Sequence, residues 1–279
     1  MKHSTFKFSS KDGLELFGRA WQTEDKHPKG IIHLIHGLGE HSGRYDPVAK
    51  ALTKAGYHMI GFDLRGHGLS EGKRGHTPGL DNFLDDMSLF LDESGKLLDT
   101  SLPSFIYGHS LGGLLVLNYG FVHPERLSGA IVSDPALALS FRPPQLMWMI
   151  AQIMAKIVPT FSSNNALDVN ALSRDAAVVK AYQDDVLVHD QISASHVVDM
   201  LGRGEKLIAR AEDWTLPLLL MHGTEDRIAS VEASRTFAEK AGPIVTFVPW
   251  EGYYHEIHND IGKEKVIDKM ISWLDDQVK

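Results

Sequence analysis

Gly108-His109-Ser110-Leu111-Gly112 follows the apolar run Leu102-Pro103-Ser104-Phe105-Ile106-Tyr107 and leads directly into Gly113-Leu114-Leu115-Val116-Leu117-Asn118-Tyr119. A strand-like run, a G-x-S-x-G pentapeptide and a helix-like segment in this order describe a tight strand-to-helix turn with a serine at its tip. Glycine on either side of Ser110 removes Cβ atoms where strand and helix converge, so the serine can take a strained backbone conformation with its hydroxyl exposed. Ser110 is the candidate nucleophile. A glycine-rich loop joining two ordinary elements would look the same over five residues, and what separates the two readings is whether chemical partners follow in order.

They do, as an acid and then a histidine. Pro217-Leu218-Leu219-Leu220-Met221 reads as a buried strand and ends in His222-Gly223-Thr224-Glu225-Asp226, a loop suited to projecting a carboxylate. A helical stretch from Val231 to Ala241 and a short strand, Val245-Thr246-Phe247-Val248-Pro249, then lead to Gly252-Tyr253-Tyr254-His255. A serine hydroxyl is a poor nucleophile at neutral pH, so an imidazole must take its proton and later return it to the leaving group. His255 is the candidate base, and Asp226 the carboxylate that would hold its tautomer and stabilise its charged form. Upstream, Gly30-Ile31-Ile32-His33-Leu34-Ile35 reads as a buried strand running into His36-Gly37-Leu38-Gly39-Glu40. The backbone N–H groups of Leu38 and of Leu111, the residue after the nucleophile, are candidates for an oxyanion hole.

The rest of the chain alternates strands and helices. Thr5 to Phe8 and Leu14 to Trp21 read as an opening hairpin turned at Lys11-Asp12-Gly13. Asp46-Pro47 starts a helix that Gly56 ends, and Met59-Ile60-Gly61-Phe62 is the next strand. Asp81 to Leu98, Leu111 to Val122 and Lys263 to Gln277 supply further helices. Such alternation predicts an α/β fold with a mostly parallel central sheet and helices on both faces. It breaks after the strand Ala130-Ile131-Val132-Ser133, so residues 136–213 are expected to form a helical cap inserted into one catalytic domain made of 1–135 and 214–279. Within the cap, Pro143-Pro144 opens a helix running to Val158. Leu146, Met149, Ile150, Ile153, Met154 and Ile157 share one face of it, while Met147 and Trp148 add apolar surface to another. The segment is too short to span a bilayer. Two readings stay open: a lid that covers an acyl channel and dips into a membrane surface, or a helix packed on the core.

The chain resembles the α/β-hydrolases, and among them the monoacylglycerol lipase and lysophospholipase group. The resemblance runs over nearly the whole length and is carried by His36-Gly37-Leu38-Gly39-Glu40-His41-Ser42-Gly43-Arg44-Tyr45, Asp63-Leu64-Arg65-Gly66-His67-Gly68-Leu69-Ser70-Glu71-Gly72, the Ser110 pentapeptide, and Tyr254-His255-Glu256-Ile257-His258. It implies Ser110, Asp226 and His255 as a catalytic triad and the Leu38 and Leu111 amides as the oxyanion hole. It also implies a polar glycerol pocket formed by Glu40, Arg44, His258 and Tyr182. Glu40 and Arg44 fit equally an ion pair that anchors their loop. No metal or organic cofactor is implied.

Composition agrees. The 279 residues can bury a substantial core, and the formal charge of −8 with no basic stripe argues against a nucleic-acid partner. The absence of cysteine rules out disulfides and thiolate zinc sites, and Met1-Lys2-His3-Ser4-Thr5-Phe6 lacks a signal-peptide core, so a cytoplasmic location is expected, peripheral to a membrane if the lid reaches one. The histidines His36, His41, His67 and His76, and the pair His255 and His258, lack the H-E-x-x-H spacing of a zinc site. Asp134, ending an earlier strand, is the alternative triad acid; Arg65 is read as a loop anchor. The expected activity is hydrolysis of a monoacylglycerol to fatty acid and glycerol. Lysophospholipid or small-ester hydrolysis, or ligand binding without turnover, are the alternatives.

Overall fold

The structure, a computed structural model, describes residues 1–141 and 144–279. β1 (Lys2–Ser9) and β2 (Glu15–Gln22) pair antiparallel across the turn at Gly13, whose φ of 88° is a backbone state that glycine enters without penalty. Strands and helices then alternate through β3 (Gly30–Ile35), α1 (Asp46–Lys54), β4 (Tyr57–Phe62), α2 (Leu80–Leu97), β5 (Ser104–His109), α3 (Leu111–Val122) and β6 (Gly129–Ser133). Next come α4 (Gln145–Ile157), β7 (Ser162–Asn164), α5 (Ala176–Asp184), β8 (Gln191–Ser193) and α6 (Ala194–Ala209). The chain finishes with β9 (Leu218–Gly223), α7 (Val231–Ala241), β10 (Val245–Trp250) and α8 (Lys263–Gln277). Local chemistry sets several ends: Pro47 lies in the first turn of α1, and the Asp175 and Ser230 side chains accept backbone N–H groups at the starts of α5 and α7.

The main sheet has eight strands in the order β1-β2-β4-β3-β5-β6-β9-β10, and only β2 runs against its neighbours. Both of its faces are covered, and single strands serve both. Ile31 and Ile35 of β3 join an apolar cluster with α2 and α3, while Ile32 and Leu34 join another with α1 and α8. Leu218 and Leu220 of β9 face the first cluster, and Leu219 and Met221 the second. That two-sided burial explains why these strands read as continuous apolar runs. Because β3, β5, β6 and β9 are parallel, their C-terminal ends share one edge of the sheet, where the loops carrying Leu38, Ser110, Asp134 and Asp226 meet.

The segment between β6 and β9 is not uniform. Met200 and Leu207 of α6 belong to the same buried cluster as α2 and α3, so α6 is seated on the sheet-covering layer. α4 lies on α6 and has no buried residue. Its half-buried side chains are Trp148, Ala151, Met154 and Ala155, whereas Leu146, Met149, Ile150, Ile153 and Ile157 are exposed, Ile157 to 72%. Five of the six residues expected to share an apolar face therefore look outward, and only Met154 turns toward the protein. Pro143, expected at the start of this helix, lies outside the described residues.

Candidate active site

The turn at Ser110 is built by its neighbours. Ser110 has φ 53° and ψ −117°, a strained conformation for a residue with a side chain. A Cβ on Gly112 would collide with the Ile35 carbonyl of β3, and one on Gly108 with the Gly112 carbonyl, so the elbow closes only with glycine at both places. β6 and its loop fix the turn from the other side: Ser110 N–H donates to the Ser133 carbonyl at 3.0 Å, and the Ser110 carbonyl accepts Ala136 N–H at 3.0 Å.

His255 arrives from the loop after β10 and places Nε2 2.9 Å from Ser110 Oγ; its Nδ1 is 2.7 Å from Asp226 Oδ2. Asp226 only accepts, so the ring proton sits on Nδ1 and Nε2 is free to take the serine proton. The Asp226 carboxylate also accepts Ile228 N–H at 2.7 Å and Ala229 N–H at 3.0 Å. Burial alone would push the Asp226 pKa up, yet the His255 charge and the hydrogen bonds from His222 and His255 hold it well below the usual range. Burial works against the charged form of His255, and the facing Asp226 carboxylate overcomes it, leaving the His255 pKa raised. The segment after β6 helps to hold this loop, since Glu256 N–H donates to the Leu172 carbonyl at 2.8 Å.

Asp134, the alternative acid, makes no hydrogen bond to His255 among the described residues. It lies buried with φ 48°, its Oδ1 accepting Gly223 N–H at 2.8 Å. Burial, reinforced by the charge of Asp226, pushes its pKa well up. One donor atom each from Asp134, His222 and Asp226 fall within 4.8 Å of one another, the spacing of a metal site. Both Asp226 oxygens are already committed to N–H donors, however, and a cation there would have to break the bond to His255.

Ser110 and His255 open onto a cavity of about 360 Å³, within the size range of small-molecule sites. Its walls are mainly apolar, including Leu139, Leu167, Leu172, Ile192, Met200 and Ile228. Leu38 and Leu111 line it beside Ser110, and Leu111 opens α3, where unpaired N–H groups and the helix dipole favour a negative oxygen.

The four residues implied for a glycerol pocket divide. Glu40 and Tyr182 line the cavity; Arg44 and His258 sit behind its wall. Glu40 accepts Gly37 N–H at 2.6 Å, Tyr45 O–H at 2.7 Å and Arg44 Nη1 at 2.6 Å, which closes the loop after β3 onto itself. Arg44 in turn grips Glu256 through two bonds of 2.7 and 2.8 Å and lies 4.7 Å over the Tyr182 ring. His258 is stacked on Tyr45, with ring centroids 4.9 Å apart, and neither of its ring nitrogens has a partner among the described residues. Burial pushes its pKa down to about 4. Glu256, which also lines the cavity, was not among the sequence candidates. Its neighbour His255 marks its position, but its partner lies 212 residues away and no local pattern reveals the pairing. Arg65 pairs with Asp86 at 2.6 Å and with Asp12 at 2.8 Å, away from the cavity lining, in the anchoring role read for it.

Residues 26–262 match the Hydrolase_4 family model, described as serine aminopeptidase, S33. An uncharacterised abhydrolase domain-containing protein of Dictyostelium discoideum is 36% identical over 97% of this chain, which spans only 28% of that relative's length. A monoacylglycerol lipase of Mycolicibacterium smegmatis is 34% identical, with 97% of this chain and 96% of that protein covered. The crystal structure of a monoacylglycerol lipase from Paleococcus ferrophilus superposes with a TM-score of 0.84 at 35% identity, covering 99% of this chain and all of that one.

Proposed function

Because the chain belongs to the serine aminopeptidase S33 family of α/β-hydrolases, we infer that it is a serine hydrolase of carboxylic esters whose substrate is a monoacylglycerol. The observation that carries this reading is the Ser110–His255–Asp226 chain, with links of 2.9 and 2.7 Å, opening onto an apolar cavity with a polar end at Glu40 and Tyr182. Ser110 Oγ attacks the ester carbonyl as His255 Nε2 takes its proton, and Asp226 stabilises the imidazolium. The amides of Leu38 and Leu111 receive the oxyanion. The imidazolium then protonates the departing glycerol, and a water activated by the same histidine releases the fatty acid.

The apolar walls suit an acyl chain. Glu40 and Glu256 at the polar end share the single positive charge of Arg44, and both already accept its N–H groups. No helix among the described residues is long and apolar enough to cross a membrane. Residues 136–213 act in this reading as a cap, with the outward face of α4 resting on the lipid surface from which the substrate is drawn.

The test is steady-state hydrolysis of 1-oleoylglycerol against oleoyl-lysophosphatidylcholine, with Ser110→Ala as the blank. Faster turnover of the monoacylglycerol, lost in the variant, is the expected result. Preference for the lysophospholipid would keep the triad and discard the substrate; undiminished turnover by Ser110→Ala would discard both.

A further inference from the structure

Asp226 Oδ2 receives two imidazoles. One is His255; the other is His222, whose Nε2 lies 3.1 Å from the same oxygen. His222 is fully buried near the end of β9, and nothing in the chemistry at Ser110 requires it to touch substrate. Its tautomer follows from its surroundings. Among the described residues Nε2 faces only acceptors, Asp226 Oδ2 and the Ala229 carbonyl at 3.3 Å, so the ring proton belongs there. Nδ1 then accepts the hydroxyl proton of Ser234, 2.8 Å away on α7. Ser234 is itself buried.

We propose that His222 is a positioning residue for the reaction at Ser110: its Nε2–H fixes the Asp226 oxygen that orients His255, and Ser234 fixes His222. The proposal rests on the reading of Ser110, His255 and Asp226 as the reacting groups and adds the part that holds them still. A carboxylate offers about four acceptor positions, and here Ile228 N–H, Ala229 N–H, His255 and His222 occupy four. The two amides belong to the same loop as Asp226 and move with it. His222 ties the carboxylate instead to β9, a strand paired on both sides, and, through Ser234, to α7, so the plane of the carboxylate cannot rotate away from His255 Nδ1. A polar partner behind a catalytic imidazole–carboxylate pair acts in the same way as one behind a metal-bound histidine, where its loss typically costs 10- to 100-fold.

His222 also sets how much negative charge His255 sees. Each N–H donated to Asp226 disperses its charge; removing one leaves the carboxylate a better partner for the imidazolium and moves the His255 titration to higher pH. The other titratable groups around the pair are His109 from β5, Asp134 after β6, Glu40 and Arg44 after β3, and Glu256 and His258 beside His255. None of these changes in the variants below.

The experiment compares His222→Phe, His222→Gln and Ser234→Ala with the unaltered protein, recording kcat, KM and the pH profile of kcat/KM for 1-oleoylglycerol, with thermal unfolding as a check on the fold. In His222→Phe the expected result is a kcat lower by about 10-fold or more, KM within about twofold, and an acid limb displaced to higher pH. Glutamine can donate to Asp226 and accept from Ser234, so His222→Gln recovers most of kcat and the original limb. Ser234→Ala shifts the limb the same way by less and carries the test if His222→Phe does not fold. A folded His222→Phe with the original kcat and acid limb overturns the proposal, as does an unshifted Ser234→Ala where His222→Phe fails to fold. Equal losses in His222→Gln and His222→Phe overturn it too, because they would mark a packing role. Loss of the triad reading would show separately, as activity surviving in Ser110→Ala.

Discussion

Ser110 and Asp134 each hold a backbone angle that side-chain-bearing residues rarely adopt, with φ of 53° and 48°, at the ends of the adjacent strands β5 and β6. At Ser110 the strain points a hydroxyl at His255, and Ser110→Ala removes only that oxygen. Hydrolysis should fall on the order of 10⁴-fold or more with the melting temperature nearly unchanged. At Asp134 the consequence is a carboxyl biased toward its neutral form, since burial and the nearby Asp226 charge raise its pKa. The unfolded chain ionises near 3.8 and the folded one much later, so the folded state binds the extra proton between those points. Stability is then complete below the unfolded value and is lost as pH rises toward the folded one. Asp134→Asn keeps an acceptor for Gly223 N–H and needs no proton. Its melting temperature should exceed that of the unaltered protein at pH 8, by more than at pH 5, with kcat/KM within about twofold. A drop in kcat/KM like that of a lost triad acid would instead make Asp134 the working carboxylate.

Among the elements, α4 shows how far periodicity reaches. The repeat of Leu146, Met149, Ile150, Ile153 and Ile157 makes an amphipathic helix readable, yet that face is the exposed one, and α4 rests on α6 through Trp148, Ala151, Met154 and Ala155. Both sides of the helix carry apolar residues, so the side that packs is decided by what α6 offers. Phe141 and Phe161, which flank α4 in the chain, are exposed as well, and an exposed apolar surface of this kind favours contact with lipid. Replacing Leu146 and Ile153 together by serine should cut hydrolysis of monoacylglycerol presented in vesicles by about fivefold or more, and reduce cosedimentation with them. Hydrolysis of a water-soluble short-chain ester should be unaffected. Equal losses on both substrates would assign the face to folding or catalysis.

For the whole molecule, buried histidines dominate the response to acid. Burial pushes the pKa values of His33, His196 and His258 down to about 4, so all three stay neutral in the folded state. In the unfolded chain they titrate near 6.5, and between 6.5 and 4 the unfolded state binds more protons. Their stabilisation is present above pH 6.5 and is lost as pH falls toward 4, at roughly 3 kcal/mol each. Three such terms rival the total stability of an ordinary domain. The melting temperature should therefore fall steeply below pH 6.5, and at pH 5 these three rings should contribute about three protons to the uptake on unfolding in a calorimetric or potentiometric titration, with His67, His109 and His189, also shifted down by burial, adding to it. A flat profile between pH 6.5 and 5 would contradict the burial of these rings as neutral groups.

Sequence alone determined the order of elements outside residues 136–213, the mostly parallel sheet, and the grouping of Ser110, Asp226 and His255, which lie within hydrogen-bond distance of one another in turn. The physical reason is that these are local facts: apolar runs covered on both faces, glycines forced by a tight turn, and loops that follow strands. The ends of α3, α7 and α8 coincide with the expected ones because caps and turns lie beside them in the chain. Tertiary structure decided everything that depends on partners distant in sequence. It set Glu256 against Arg44, put His258 behind the cavity wall, placed His222 behind Asp226 with Ser234 at its back, and chose which face of α4 meets solvent. Those outcomes come from packing and hydrogen bonding between elements, and no pattern within one element encodes its neighbour.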